Sequence, residues 1–156
     1  MSQQPKVIAF TKVSLPYGWM GNMSPYPISY KNKLWPTAEA LFQALRYSDE
    51  SIRDLIHQQK SPFAAKLTSK SNIGKRVVQA QSPQDLANME LILKLKLEQH
   101  PELKAELKKT GTATIIEDCT NRANESGLFW GAANQGGKWV GQNMLGKLWM
   151  KLRRVA

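Results

Sequence analysis

The sequence is short of cysteine, histidine and acid. Its 156 residues include one cysteine, Cys119, and two histidines, His57 and His100. A lone thiol cannot build an intramolecular disulfide framework. So small a Cys/His complement argues against the usual zinc sites, and neither a metal nor another cofactor is expected. Both histidines lie in polar contexts, LIHQQK and EQHPEL, that read as solvent-facing. That leaves a Ser-His-Asp or Cys-His nucleophilic site without its base. Cys119 reads as a small, semi-buried filler. No apolar run approaches the ~20 residues of a membrane span. The start, MSQQPKVIAF, lacks the basic-then-apolar pattern of a secretory leader. A cytoplasmic protein with no membrane partner is expected, and there the N-x-S sequons at Asn22 and Asn124 carry no meaning.

The scarcity of acid has a pattern. Twelve Asp and Glu stand against 22 Lys and Arg, for a formal net charge of +10. No carboxylate precedes Glu39. None lies between Asp54 and Asp85, where Lys60, Lys66, Lys70, Lys75 and Arg76 fall. None follows Glu125, where Lys138, Lys147, Lys151, Arg153 and Arg154 fall. A surplus so distributed favours an anionic partner, nucleic acid or nucleotide above all.

What is present is enough for one domain. Apolar residues make up 42%, and a chain of this size hides roughly two thirds of its unfolded surface. There is no repeat or linker, so residues 1–156 read as a single domain. Residues 7–10 are strand-like, 15–27 form an aromatic, turn-rich loop, and 28–34 suit a hairpin turning at Lys31-Asn32. Thr37 caps a helix over 38–47, Ser48 or Asp49 one through 58, and Ser61-Pro62 opens a third. Ser82-Pro83 opens a helix to about 98 whose Leu86, Met89, Leu93 and Leu97 form a buried stripe, with Asp85 suiting the helix dipole. Pro101 restarts a helix that ends near Gly111. Residues 112–116 are strand-like, 130–141 form a Gly- and Asn-rich loop, and 143–155 close the chain as a helix. The closing helix is amphipathic, and its Leu145, Leu148, Trp149 and Leu152 are expected to pack on the core rather than on anionic lipid. Helices dominate, so the fold class is α+β, mainly helical.

Two segments invite chemistry. Gly141 to Leu148 resembles a phosphate-binding loop, but Leu148 stands where a Ser or Thr would hold Mg²⁺ and too little chain follows for a nucleotide-binding sheet. Its glycines, amide and helix start still suit a phosphate or ribose. Glu39, the only acid in the first 48 residues, lies in a first helical turn between Trp35 and Phe42. It can serve the helix dipole, or it can be a partly buried carboxylate that activates water or stabilises an oxocarbenium ion in glycosidic cleavage. Trp130 and Trp139 flank the Gly-rich loop, where they can wall the core or stack on a base.

Taken in order, these segments resemble the NADAR family, the group that includes YbiA-like N-glycosidases. Tyr17-Gly18-Trp19-Met20-Gly21-Asn22-Met23 is similar to the family's YGxFSNF loop, and Trp35-Pro36-Thr37-Ala38-Glu39-Ala40-Leu41-Phe42-Gln43-Ala44 to WPTxEHYFQAxKF. Ala65-Lys66 through Lys70 resembles AKxxGR, with Ser69 for Gly. Glu98-Gln99-His100-Pro101-Glu102-Leu103 resembles FxQHPEL. Phe129-Trp130-Gly131 and Gly141-Gln142-Asn143-Met144-Leu145-Gly146 resemble FWG and GxNxLGxxLM. The resemblance covers nearly the whole chain and implies a compact, mainly helical α+β domain with a few short strands, acting as an N-glycosidase. It implies Glu39 and Lys66 as catalytic residues. Glu39 would act on water or on charge at C1 of the ribose. Lys66 would be a phosphate contact or a Schiff-base nucleophile. It implies substrate contacts from Asn22, Trp35, Phe42, Lys70, Trp130, Gly131, Asn143 and Gly146. Family members commonly carry His where Ala40 stands and an Asp where Gly127 stands; Glu125 or Asn124, nearby in sequence, is expected to compensate, with Glu125 the candidate second acid. Two activities are implied, both at a C1–N bond of a phosphate-bearing ribose. One removes ADP-ribose from guanine in DNA or RNA, reversing DarT-type modification; the other cleaves small phosphoribosyl intermediates of riboflavin synthesis. The charge favours the first. A non-catalytic, basic nucleic-acid-binding module of the same fold is the reading from another class.

Overall fold

A computed structural model describes residues 7–156; most of the start that is expected not to be a leader, residues 1–6, lies outside the described residues. In chain order the elements are β1 (Val7–Phe10), β2 (Ile28–Tyr30), β3 (Lys33–Trp35), α1 (Ala38–Ala44), α2 (Glu50–His57), α3 (Pro62–Ser71), α4 (Pro83–Gln99), α5 (Pro101–Lys109), β4 (Thr114–Glu117), α6 (Glu125–Trp130), β5 (Ala133–Gln135), β6 (Lys138–Val140) and α7 (Met144–Val155). Among the described residues the strands form only two-stranded sheets, so the α+β, mainly helical expectation holds. No helix among them is long and apolar enough to cross a membrane. The chain gathers into two units, one from the stretch up to Gly21 with Pro101–Ala156, the other from Asn22–His100.

In the Asn22–His100 unit the turn and cap signals act as local chemistry requires. Lys31 and Asn32 both take positive φ, 47° and 65°, the backbone of a two-residue hairpin turn whose twist suits the flanking strands. That turn sets the antiparallel register Ile28↔Trp35. Thr37 accepts a hydrogen bond from the Ala40 N–H at 3.1 Å and starts α1; Asp49 and Ser61 start α2 and α3 in the same way. The helix read over 38–47 is shorter than expected. After Ala44 the bonds tighten, Arg46 N–H to Gln43 O and Tyr47 N–H to Ala44 O. The Arg46 carbonyl then turns to the N–H groups of Val77 and Val78.

The histidines correct the expectation that they face solvent. His57 bonds the Leu34 carbonyl at 2.8 Å and packs edge-on against Trp35. His100 bonds the Pro27 carbonyl at 2.7 Å and packs edge-on against Tyr26. Each fastens the β2–β3 segment to a helix end, a structural use that a polar sequence context does not reveal.

The α4 stripe also differs. Leu86 is only half-buried, whereas Asp85, Met89, Ile92, Leu93, Lys96 and Leu97 are buried. Asp85 and Lys96 stand at helical spacing with Met89 and Ile92, so the inner face of α4 carries a charge near each end. Lys96 donates to Ser24 Oγ at 2.9 Å and lies 5.4 Å from the Tyr26 ring centre.

The other unit is built on a parallel β1–β4 pair in the register Val7↔Thr114 to Phe10↔Glu117. Across it α7 is locked by Asn143, whose Nδ2 donates to Ile115 O at 2.9 Å and whose Oδ1 accepts from Glu117 N–H at 3.0 Å. The inner face of α7 is core as expected: Trp149 is fully buried, donates to Met20 O at 3.0 Å and meets Trp19 edge-on. The stretch read as a loop over 130–141 is instead the end of α6 followed by the β5–β6 hairpin. Its turn is Gly136-Gly137, both at positive φ, a two-residue signal hidden because the flanking strands are only three residues each.

Burial pushes the Lys96 ammonium down from its usual 10.5 to about 7. An unfolded chain therefore binds the extra proton between those values, and this group makes the fold more stable as pH rises through that window. Lys96→Met keeps the apolar stem and removes the titration. Urea melts should show the variant more stable than the parent at pH 7, with the gap shrinking towards about pH 10.

Candidate active site

Glu39 is placed by main chain. Its N–H donates to the Asn22 carbonyl at 3.0 Å, which ties the first turn of α1 to the end of the aromatic loop. The first-turn position that suits a helix dipole also carries the side chain inside: Glu39 is 7% exposed. Burial raises its carboxyl above the usual 4.5, and the charges of Lys66 and then Arg46 oppose that rise. The carboxyl is thus desolvated yet flanked by cations, a setting that shifts acids at functional sites.

The support behind it runs along one helical face. Gln43, one turn on, donates Nε2 to Glu39 Oε1 at 3.5 Å. Arg46, seven residues from Glu39, donates Nη1 to Gln43 Oε1 at 3.4 Å. Its other edge forks onto Asp85, with Nε to Oδ1 at 2.9 Å and Nη2 to Oδ2 at 2.7 Å. Asp85 is fully buried and also accepts the Gln81 N–H at 2.9 Å. The guanidinium lies 4.5 Å from the Phe42 ring centre. Asp85 was read for the helix dipole alone; its carboxylate instead neutralises Arg46. Arg46 and Asp85 were not among the residues read as functional. The signal that could have found them is phase: Glu39, Gln43 and Arg46 at i, i+4 and i+7, and an acid on the apolar stripe of α4.

Lys66, on α3, acts on Glu39 through its charge. Ala65 and Ser69, small and buried one turn apart, form the inner face of that helix, and Tyr47 Oη donates to the Ser69 carbonyl at 2.5 Å. Lys66 and Lys70 are exposed on the other side. Schiff-base lysines are typically held in desolvated surroundings, so an exposed Lys66 fits a phosphate or ribose contact better. Asn22 donates Nδ2 to Met89 Sδ at 3.3 Å, and its Oδ1 is buried without a partner. Trp35 Nε1 is likewise buried without a partner, while its ring packs on His57 at 4.8 Å between centres. Phe42 is buried under Arg46.

The structure thus brings Glu39, Lys66, Asn22 and Phe42 together in the Asn22–His100 unit. Trp35 and Lys70 also belong to that unit; Glu125, Trp130, Gly131, Asn143 and Gly146 belong to the other, where most have structural work. Trp130 is buried against Phe129 at the end of α6 rather than beside a loop. Asn143 spends both ends of its carboxamide on β4. Gly131 and Gly146 press on the same strand: a Cβ would stand 2.3 Å from Glu117 O and 2.1 Å from Ile115 O respectively. The phosphate-loop resemblance over 141–148 therefore reflects close packing of α7 on β4. Glu125 is exposed in the first turn of α6. At Gly127 a Cβ would stand 2.3 Å from Arg122 O, so this backbone leaves no room for an acid there. Cys119 is buried, and desolvation raises its thiol, away from nucleophilic use. Among the described residues no three His, Cys, Asp or Glu side chains converge as a metal group.

A desolvated carboxyl acted on by the charges of Lys66 and Arg46 can stabilise positive charge or activate water in glycosidic cleavage, and the chain is similar to proteins named for that class of reaction. The NADAR domain model matches residues 9–155, across both units, and the chain belongs to that family. It is 35% identical over 150 residues to N-glycosidase YbiA of Escherichia coli strain K12, covering 96% of this chain and 88% of the relative. It is 30% identical over 152 residues to N-glycosidase Npun_R5314 of Nostoc punctiforme, covering 94% and 90%. The NMR structure of E. coli YbiA matches with a TM-score of 0.80 at 32% identity, covering 99% of this chain and 86% of that one. The chain is an enzyme of the N-glycosidase class.

Asp85→Asn leaves the Arg46 guanidinium buried without its counter-charge. Breaking such a pair from one side costs about 3–5 kcal/mol. Chemical denaturation should show a loss of that order, against less than about 1 kcal/mol for the exposed Lys33–Asp54 pair.

Proposed function

We propose that the enzyme cleaves the C1–N bond between the ribose of ADP-ribose and guanine in nucleic acid, reversing DarT-type modification in the cytoplasm. The observation that carries this reading is the buried Glu39 carboxyl, bonded by Gln43 and acted on by the charges of Lys66 and Arg46, with Lys66 in a segment without acid between Asp54 and Asp85. A small phosphoribosyl metabolite needs only a local cation. A polyanion uses the whole strip, and the net charge of +10 supports it.

In this mechanism the glycosidic C1–N electron pair leaves with guanine, which takes a proton from solvent as it departs (the proton that Glu39 later receives from water returns to solvent), and positive charge develops at C1. The Glu39 carboxylate stabilises that charge and accepts the proton of the water that adds to C1. Lys66 holds a phosphate or ribose oxygen, and its charge keeps more of Glu39 ionised. Asn22 Oδ1 accepts from a ribose hydroxyl. Gln43 and Arg46, anchored by Asp85, position the carboxylate.

The deciding measurement is release of ADP-ribose from guanine-modified DNA and RNA oligonucleotides beside release of ribose from riboflavin-pathway intermediates. Release from the oligonucleotides is expected, reduced about 10²–10⁴-fold in Glu39→Gln. Release from the small intermediates alone overturns the substrate. Full release by a folded Glu39→Gln protein overturns the carboxylate's role.

Because the carboxylate is the active form and its pKa is raised, kcat should climb with pH along an acid limb centred above 4.5. Lys66 lowers that value, so Lys66→Ala should move the limb upward as well as raise KM. Borohydride trapping of a substrate adduct in the parent, lost in Lys66→Ala, would show the lysine route instead.

A further inference from the structure

We infer that the outward face of α3 is a docking strip for single-stranded nucleic acid, with Phe63 as a base-stacking platform and Lys60, Lys66 and Lys70 as phosphate contacts. This rests on the nucleic-acid reading above and extends it from the modified guanosine to the unmodified strand beside it.

Helical phase places the residues. At 3.6 residues per turn, Lys66, Lys70, Phe63 and Leu67 fall within one arc of about 100°, on the side away from buried Ala65 and Ser69. All four are exposed, Phe63 at 63% and Leu67 at 48%. An aromatic ring so far out of the core gives the fold little; Phe63 forms no ring pair or cation–π contact among the described residues. Lys60 stands just before the helix, and Lys66 and Lys70 are one turn, ~6 Å, apart along it. None of the three forms a salt bridge among the described residues. No acid occurs between Asp54 and Asp85 to neutralise them.

Charge complementarity selects the occupant. Cations along one edge of a face and an exposed ring with an aliphatic neighbour on the other are the two parts of a single-strand site: one tracks phosphates, the other stacks bases without regard to sequence. Lys66 joins the strip to the site, because its charge acts on Glu39. A strand lying on α3 is thereby led to the catalytic carboxyl.

Fluorescence anisotropy of the whole chain with unmodified, labelled 12-nucleotide single-stranded DNA and RNA tests this. Binding is expected at low salt, and the two arms show which polymer is preferred. Phe63→Ala should weaken it about 5- to 100-fold and Phe63→Trp should restore it. Lys60→Ala and Lys70→Ala should each lower the salt slope by about 0.7. Phe63 is exposed, so the variant should melt with the parent, and that is measured alongside. Absence of binding at about 50 mM salt, or a folded Phe63→Ala protein that binds as the parent does, overturns the strip. So does polyglutamate that displaces the oligonucleotide with no dependence on Phe63, since an acidic protein surface is then the occupant. The two readings fail separately. Phe63-dependent binding without ADP-ribose release keeps the strip and removes the substrate; release from a modified guanine mononucleotide without such binding removes the strip alone.

Discussion

The fork between Arg46 and Asp85 is the interaction on which the candidate site depends. Two charges are buried there, which is tolerable only because both carboxylate oxygens meet one edge of the guanidinium, Nε and Nη2, and a backbone N–H adds a further bond to the carboxylate. From that anchor the order of the site follows. Arg46 fixes Gln43, Gln43 reaches Glu39, and the Arg46 carbonyl gathers the chain at Val77 and Val78. An apolar pair in the same space could make a more stable junction of α1 and α4, but it could not direct a cation at the back of a buried acid.

Glu39 shows the matching cost. Its environment favours the neutral form, so above about pH 4.5 the ionised group works against folding. Lys66 and Arg46 offset part of this. A fold that holds an acid charged inside apolar surroundings gives up stability at that position, a trade common at catalytic sites and the one that the proposed mechanism requires of Glu39. Lys96, buried at the other end of the α4 stripe, imposes a cost of the same kind.

Signals that act within a few residues were readable in the sequence. Thr37, Asp49, Ser61 and Ser82 each cap the helix expected of them, because a cap is decided by one side chain and the N–H groups just after it. The Lys31-Asn32 turn was readable for the same reason. The Gly136-Gly137 hairpin was not, because its strands are only three residues long and mostly exposed, too short to display a period. The histidines misled because their partners, Leu34 and Pro27, are distant carbonyls that no local pattern records. Glu39 and Lys66 were legible through motif resemblance. Arg46 and Asp85, 39 residues apart, became a pair only once α1 lay on α4.

The loosely bonded side chain of Asn22 has its own consequence. Its amide nitrogen rests on a methionine sulfur, a weak acceptor, and its oxygen is already stripped of water with nothing in return. The dehydration that a ligand ordinarily imposes on a recognition group was incurred here when the chain folded. A hydroxyl arriving at that oxygen therefore gains nearly the full strength of its hydrogen bond. Since the same residue's carbonyl holds the Glu39 N–H, any bond made at that oxygen is linked through a single residue to the backbone of the acid.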